Sequence, residues 1–161
     1  MSTFTHLDDK GRVRMVDVTG KEPTVRQAMA QGIISMSRDT FVQIEDQRVQ
    51  KGNVLETARI AGIMAAKKTA DLIPMCHPLN ISHAQVDFFP DQKTSSIQIV
   101  SEIRLTGKTG VEMEALTAVS IAALTIYDMC KSYDKGMTIS NIVLLEKTGG
   151  KSGTYQRETS R

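Results

Sequence analysis

The feature that most constrains this chain is the run from Val111 to about Ser132, apolar for most of its length and periodic as one long helix. The turn Gly107-Lys108-Thr109-Gly110 precedes it, Glu112 and Glu114 stand in its first turn, and Asp128 and Lys131 close it. A core helix needs caps at its ends but no further charges, so these side chains ask for another reason. Asp128 and Lys131 are neighbours on one helical face. The apolar surroundings predict that this pair is buried, as a proton-transfer candidate rather than a surface salt bridge. Glu114 and Asp128 are fourteen residues apart, or about 21 Å along a regular helix. A compact ligand that needs both must therefore take them from two copies of the chain.

The remaining elements follow from periodicity and turn chemistry. Arg14 to Val18 alternates as a short strand ended by Thr19-Gly20, and Thr24 to Met36 reads as a strand because Gly32-Ile33-Ile34 weakens a helix. Ser37 caps a short helix carrying Phe41, Val42 and Ile44. Asn53 to Leu72 is helical with a small-residue stripe at Leu55, Ala58, Ala61, Met64 and Ala65, and Pro74 ends it. Ile81 to Phe89 and Ser96 to Leu105 are strands joined at Pro90-Asp91-Gln92; a last strand runs from Met137 to Leu145, and the tail reads as loop. Strands and helices mix without strict βαβ alternation, which predicts an α+β fold. A ferredoxin-like split βαβ sandwich with extra N-terminal elements is the simplest closure. One domain is expected across 1–161, with 1–12 and 154–161 flexible.

Composition excludes several classes. A formal charge of +2 and 4% aromatic residues with no Trp leave little for a nucleic-acid surface to use. Two cysteines, Cys76 and Cys130, make no disulfide framework and suit a reducing cytoplasm. The first residues lack the apolar run of a secretory signal. No uninterrupted apolar run approaches the roughly 18–20 residues that span a bilayer. The expectation is a soluble cytoplasmic protein with neither nucleic acid nor membrane among its partners.

Two segments imitate a phosphate-binding P-loop, Gly107-Lys108-Thr109 and Gly150-Lys151-Ser152. Both lack the glycine five residues earlier, where Glu102 and Leu145 stand. Each can still bring a lysine and backbone N–H groups to an anion. Thr109 and Glu112 fit a capping box, which competes with a functional role for Glu112. Glu114 lies about 200° around a regular helix from Glu112, so the two are not expected to address one ligand; Glu114 can accept parallel N–H donors from a guanine-like ring.

His77 is held between Pro74 and Pro78, whose rings restrict the connector. Cys76 and His77 are adjacent, so their side chains diverge and make no dyad. A zinc site from Cys76, His77, His83 and Cys130 lacks the usual spacings; both cysteines read as small buried residues. Lys51, Lys67, Lys108, Lys131, Lys147 and Lys151 flank the expected elements. If they converge they bind a polyphosphate and depress one another's pKa, which would tune a lysine for general-base work.

Together, Gly107 to Ala115, Tyr127-Asp128-Met129-Cys130-Lys131, Pro74 to Leu79 and Gly149-Gly150-Lys151-Ser152-Gly153 resemble the cyclic pyranopterin monophosphate synthases. These are the protein C family of molybdenum cofactor biosynthesis. Arg14 to Val18 and Lys51 to Val54 match as well, and the resemblance covers nearly the whole chain. It implies a ferredoxin-like homohexamer, a trimer of dimers with sites between subunits. The implied enzyme is a lyase that converts a cyclised dihydro-GTP to a cyclic-phosphate pyranopterin and diphosphate. It requires no cofactor, although Mg²⁺ can accompany the triphosphate, and it implies no resident metal.

By the same resemblance Asp128, Lys131 and Lys51 are catalytic. Met75, Cys76, His77, Met113, Glu114, Lys67, Lys147 and Glu112 bind substrate. Two other readings use the same residues: a regulatory module that binds a guanine nucleotide unchanged, and an RNA-binding ferredoxin-like domain. The second wants aromatic motifs on central strands, which Phe88 and Phe89 do not supply.

Overall fold

The computed structural model of the chain describes residues 7, 8 and 10–158. The elements run β1 (Thr24–Ser35), α1 (Arg38–Glu45), α2 (Val54–Lys67), α3 (Thr69–Leu72), β2 (His83–Asp91), β3 (Ser96–Gly107), α4 (Glu112–Cys130), β4 (Thr138–Thr148) and β5 (Tyr155–Gln156). The strands form one sheet in the order β2-β3-β1-β4-β5, and every pairing is antiparallel. With α2 and α4 as its long helices, this is the expected α+β, ferredoxin-like arrangement.

Alternation explains the core. On β1, Arg26, Ala28, Ala30, Gly32 and Ile34 are buried, and on β3 Ile97, Ile99, Ser101, Ile103 and Leu105 are buried. Each set lies on one face of its pleated strand. That face meets α4, whose Ala115, Ala118, Val119, Ala122, Ala123 and Ile126 are fully buried. Small residues let the backbones approach, and Ser101 Oγ donates to the Ala115 carbonyl at 2.8 Å, fastening β3 to the helix. Gly62 of α2 carries the closest approach: a Cβ there would lie 2.9 Å from the Ala118 carbonyl oxygen and 3.4 Å from Ala122 Cβ. By length and composition α4 could cross a bilayer, but half of it is buried inside the fold; here it is a core helix.

Several local expectations change. Arg14 to Val18 is not a strand; among the described residues before β1 there is only an isolated bridge from Leu7 to Val13. The helix expected over 53–72 breaks at Lys68, and its buried residues are Val54, Ala58, Gly62, Ala65 and Ala66, while Met64 is exposed. Ala58 and Ala65 of the expected stripe are buried, whereas Gly62 rather than Ala61 meets α4. β2 continues through Asp91, so the turn falls at 92–95 rather than at Pro90. The tail is not all loop: Tyr155 and Gln156 pair with Lys147 and Glu146. The expected flexibility at the two ends falls partly on 1–6, 9 and 159–161, which lie outside the described residues.

Candidate active site

The site residues gather at the two ends of α4. At its N-terminal end, a cavity of about 340 Å³ is lined by Met75, Cys76 and His77 of the connector and by Glu112, Met113 and Glu114 of the helix. The segment 16–21 completes the lining through Val16, Val18 and Lys21. The His77 Nε2–H donates to the Val16 carbonyl at 2.7 Å, which fixes the tautomer.

Glu114 is 3% exposed. Burial pushes its carboxyl up to about 7, against a weaker opposing backbone hydrogen bond, and the Glu112 charge pushes it further up. Burial, then the Glu114 charge, also raises the Cys76 thiol, which disfavours the nucleophilic thiolate. Burial likewise pushes Cys130 up to about 11.

Glu112 departs from both sequence expectations. The helix begins after Val111, which makes no side-chain cap, so the Thr109–Glu112 capping box does not form. Glu112 is the first helical residue, and its side chain turns back over Gly110, where a Cβ would lie 2.7 Å from Glu112 Cδ. Its Oε1 lies 3.5 Å from Lys147 Nζ. The angular argument that separates Glu112 from Glu114 applies along the helix face, not to a side chain folded back across the entry turn. Both line the same cavity.

A larger cavity of about 790 Å³ adjoins the first and shares Lys21, Thr109, Gly110 and Glu112 with it. Lys21, Arg26, Lys108, Lys147 and Lys151 all line it. Both P-loop imitations therefore meet here, from the turn before α4 and from the turn after β4. Lys108 Nζ donates to the Thr19 carbonyl at 2.7 Å, so the segment that covers the smaller cavity is tied to the larger one. Arg26 and Lys21 were not among the residues singled out from sequence. The signal for Arg26 was present: a charge in the inward register of β1, followed by Ala28 and Ala30.

At the other end of α4, Lys131 Nζ lies 2.7 Å from Asp128 Oδ1. Lys51, just before α2, lies 3.7 Å from Asp128 Oδ2 and donates to the Asp128 carbonyl at 2.9 Å. The three catalytic candidates are thus together, but the expected burial is absent: the side chains of Lys51, Asp128 and Lys131 are 48%, 61% and 53% exposed. The helix is apolar on its packed side, and its last turn emerges from the core. The hydrogen bond from Lys131, with the charges of Lys131 and Lys51, holds the Asp128 carboxyl below its ordinary value. The Asp128 hydrogen bond and charge raise Lys131, opposite to the mutual depression expected of converging lysines. Lys67 ends α2 exposed and lines neither cavity. Since α2 packs antiparallel on α4, through Gly62 on Ala118 and Lys51 beside Asp128, Lys67 stands at the Glu114 end.

This geometry offers two halves of chemistry. One half combines a buried carboxyl and a cation-lined cavity, suited to a ring with N–H donors and to an anion. The other offers an exposed acid–base cluster suited to moving protons.

Comparison with known proteins adds the lineage. The MoaC family matches residues 15–150. A cyclic pyranopterin monophosphate synthase of Desulforapulum autotrophicum is 69% identical over 155 residues, covering 96% of this chain and 95% of that protein. One of Desulfatibacillum aliphaticivorans is 65% identical over 158 residues, covering 98% and 99%. One of Heliobacterium modesticaldum is 58% identical over the same number, again covering 98% and 99%. With its matched span and relatives this similar along nearly their whole length, the chain belongs to the MoaC family.

Proposed function

We propose that the chain is a cyclic pyranopterin monophosphate synthase. It is a lyase that converts (8S)-3′,8-cyclo-7,8-dihydroguanosine 5′-triphosphate to cyclic pyranopterin monophosphate with release of diphosphate, in molybdenum cofactor biosynthesis. The observation that carries this reading is the junction of the Glu114 cavity with the cationic one, in a chain 69% identical to a protein of that name. A guanine-derived ring offers adjacent N–H donors to the Glu114 carboxylate, with Met75, Cys76 and Met113 along the ring. The triphosphate takes the cationic side, where Lys147 serves; His77 reaches it from the smaller cavity, Lys67 from the Glu114 end of α2, and Glu112 sets the position of Lys147 at the boundary.

Opening and rebuilding the purine moves protons between nitrogens and carbons, which calls for paired acids and bases. Lys51 and Lys131 exchange those protons. Asp128 keeps Lys131 charged and oriented through its 2.7 Å contact. In forming the cyclic phosphate a hydroxyl oxygen bonds to the innermost phosphorus and diphosphate leaves, its charge stabilised by nearby cations. Mg²⁺, where used, enters with the triphosphate as part of the substrate.

The two halves stand about 21 Å apart along α4, so one site combines the Glu114 end of one copy with the Asp128 end of another. A homohexamer built as a trimer of dimers supplies such contacts, and the exposed Ile60, Met64 and Leu124 on the helix layer offer apolar surface to bury. Cytoplasmic residence fits two cysteines held as thiols.

The test is incubation with the cyclised dihydro-GTP, followed by detection of diphosphate and the cyclic product. Recovery of unchanged nucleotide would leave a binding module and overturn the enzymatic reading.

A further inference from the structure

Arg26 is the anomaly of the larger cavity. It occupies an inward position of β1 and is 9% exposed, yet among the described residues no carboxylate lies within 4.0 Å of its guanidinium. Its hydrogen bonds, from Nε to the Gly107 carbonyl and from Nη2 to the Lys108 carbonyl, are both long at 3.4 Å. An arginine this far buried, with no carboxylate beside its charge, is costly unless an anion completes it. What keeps this one in place comes from the other side of the cavity, from the turn after β4.

Gly149 and Gly150 have φ of +93° and +76°, a region that glycine adopts without steric cost. Their lack of a side chain matters as much. A Cβ on Gly150 would overlap Arg26 Nη1 and lie 2.6 Å from Cζ and 3.0 Å from Nη2. A Cβ on Gly149 would overlap the Val25 carbonyl oxygen and lie 3.2 Å from Arg26 Cδ. The backbone at 149–150 thus lies against the stem and the planar head of Arg26. The same turn is closed by Gly153 N–H donating to the Gly150 carbonyl at 3.1 Å, and Ser152 Oγ accepts from Lys147 Nζ. One turn therefore touches two of the cations that line the cavity.

We propose that the Gly149-Gly150 turn is a positioning element, which clamps the Arg26 guanidinium so that its free donors face the larger cavity as a preformed site for the polyphosphate of the substrate. The anion's identity as the substrate's polyphosphate rests on the function proposed above; the clamp itself rests on the contacts just given. A guanidinium fixed in advance binds an anion without the ordering cost that a mobile lysine pays.

Gly150 and Gly153 make a matched pair for testing. Both have left-handed φ, +76° and +64°, but nothing lies within 4 Å of a Cβ at 153. Gly150→Ala and Gly153→Ala share the backbone penalty, and only the first disturbs Arg26. The probe is inorganic triphosphate, titrated calorimetrically at fixed ionic strength into variants shown to be folded by circular dichroism. The expected result is a loss of affinity of about tenfold for Gly150→Ala, the scale of one charge-assisted pair, and no more than about twofold for Gly153→Ala. In an Arg26→Lys background, which lacks the planar head, Gly150→Ala should cost less than about twofold, because residues acting through one contact are non-additive.

Equal losses at 150 and 153, or an undiminished loss in the Arg26→Lys background, overturn the clamp. The wild type gives a reading that needs no variant to fold: ¹⁵N relaxation of Arg26 Nε should report a rigid group before any anion is added, and a freely mobile one overturns the proposal. The two readings fail separately. The expected binding pattern without product formation leaves the clamp standing and removes the enzyme; product formation with triphosphate affinity indifferent to Gly150 removes the clamp alone.

Discussion

Lys51 reaches Asp128 twice, donating to its main-chain carbonyl at 2.9 Å and standing 3.7 Å from its carboxylate. Asp128 is thereby flanked by two ammonium groups, since Lys131 holds the other carboxylate oxygen at 2.7 Å. The carboxylate is the common partner, and removing its charge acts on both lysines. Asp128→Asn should lower the pKa of Lys131, because the hydrogen bond and charge that raise it are weakened or lost. NMR titration of the Lys131 Cε resonance measures this directly. An unchanged midpoint would show that Asp128 does not govern the protonation of its neighbour.

Glu114 predicts a dependence of stability on pH. In the folded chain it titrates near 7, against an ordinary 4.5. Between those values the folded state keeps a proton that the unfolded chain has released, so stability falls as pH rises through that window and stays lower above it. The cost accumulated by pH 8 is about 3 kcal/mol. Glu114→Gln keeps the shape and removes the titration. It should be more stable than the wild type by about that amount at pH 8 and nearly equal to it at pH 4 in urea unfolding. The same difference at both pH values would contradict the assignment.

Subunit mixing tests the sharing of sites. Glu114→Ala and Asp128→Ala chains, each inactive alone, should recover part of the wild-type turnover once their copies exchange, because mixed pairs restore one site with both intact ends. If labelled subunits exchange and no activity returns, the two ends do not serve one site.

The α2–α4 contact predicts a packing effect far from the chemistry. Gly62→Ala would bring a Cβ to 2.9 Å from the Ala118 carbonyl and 3.2 Å from Val86 Cγ2. Backbone on one side and a strand residue on the other leave the methyl no room, so the helices must part. A loss of about 1–3 kcal/mol is expected, read as a lower urea midpoint with unchanged slope. A midpoint equal to that of the wild type would mean the helices separate freely.

Much of this architecture was legible because its elements carry strong periods. Thr24–Ser35 emerged as the strand that alternation and Gly32 indicated, and the long helix ends within two residues of expectation. Asp128, Lys131 and Lys51 lie together, and Met75 to His77 line one cavity with Met113 and Glu114. The failures at the site share a cause: they depend on which side of an element faces another. Burial at Asp128 was inferred from the helix as a whole, whereas its last turn leaves the core. Glu112 was placed by helical angle, whereas a first-turn side chain can fold back over a glycine. Arg26 and Lys21 reach the cavity only through the pairing of β1 with its neighbours and the path of the segment before it, and neither is written in local spacing.

The nineteen-residue α4, if each of its ends supplies half of a site as proposed, also bears on how copies can be arranged. Two chains related by a twofold axis, their helices laid head to foot, complete both halves at once and leave nothing over. A row of chains stacked in one direction would instead end in an unmatched half at each terminus. Under the shared-site proposal, closed exchange between partners gives as many complete sites as chains, and open-ended growth gives fewer.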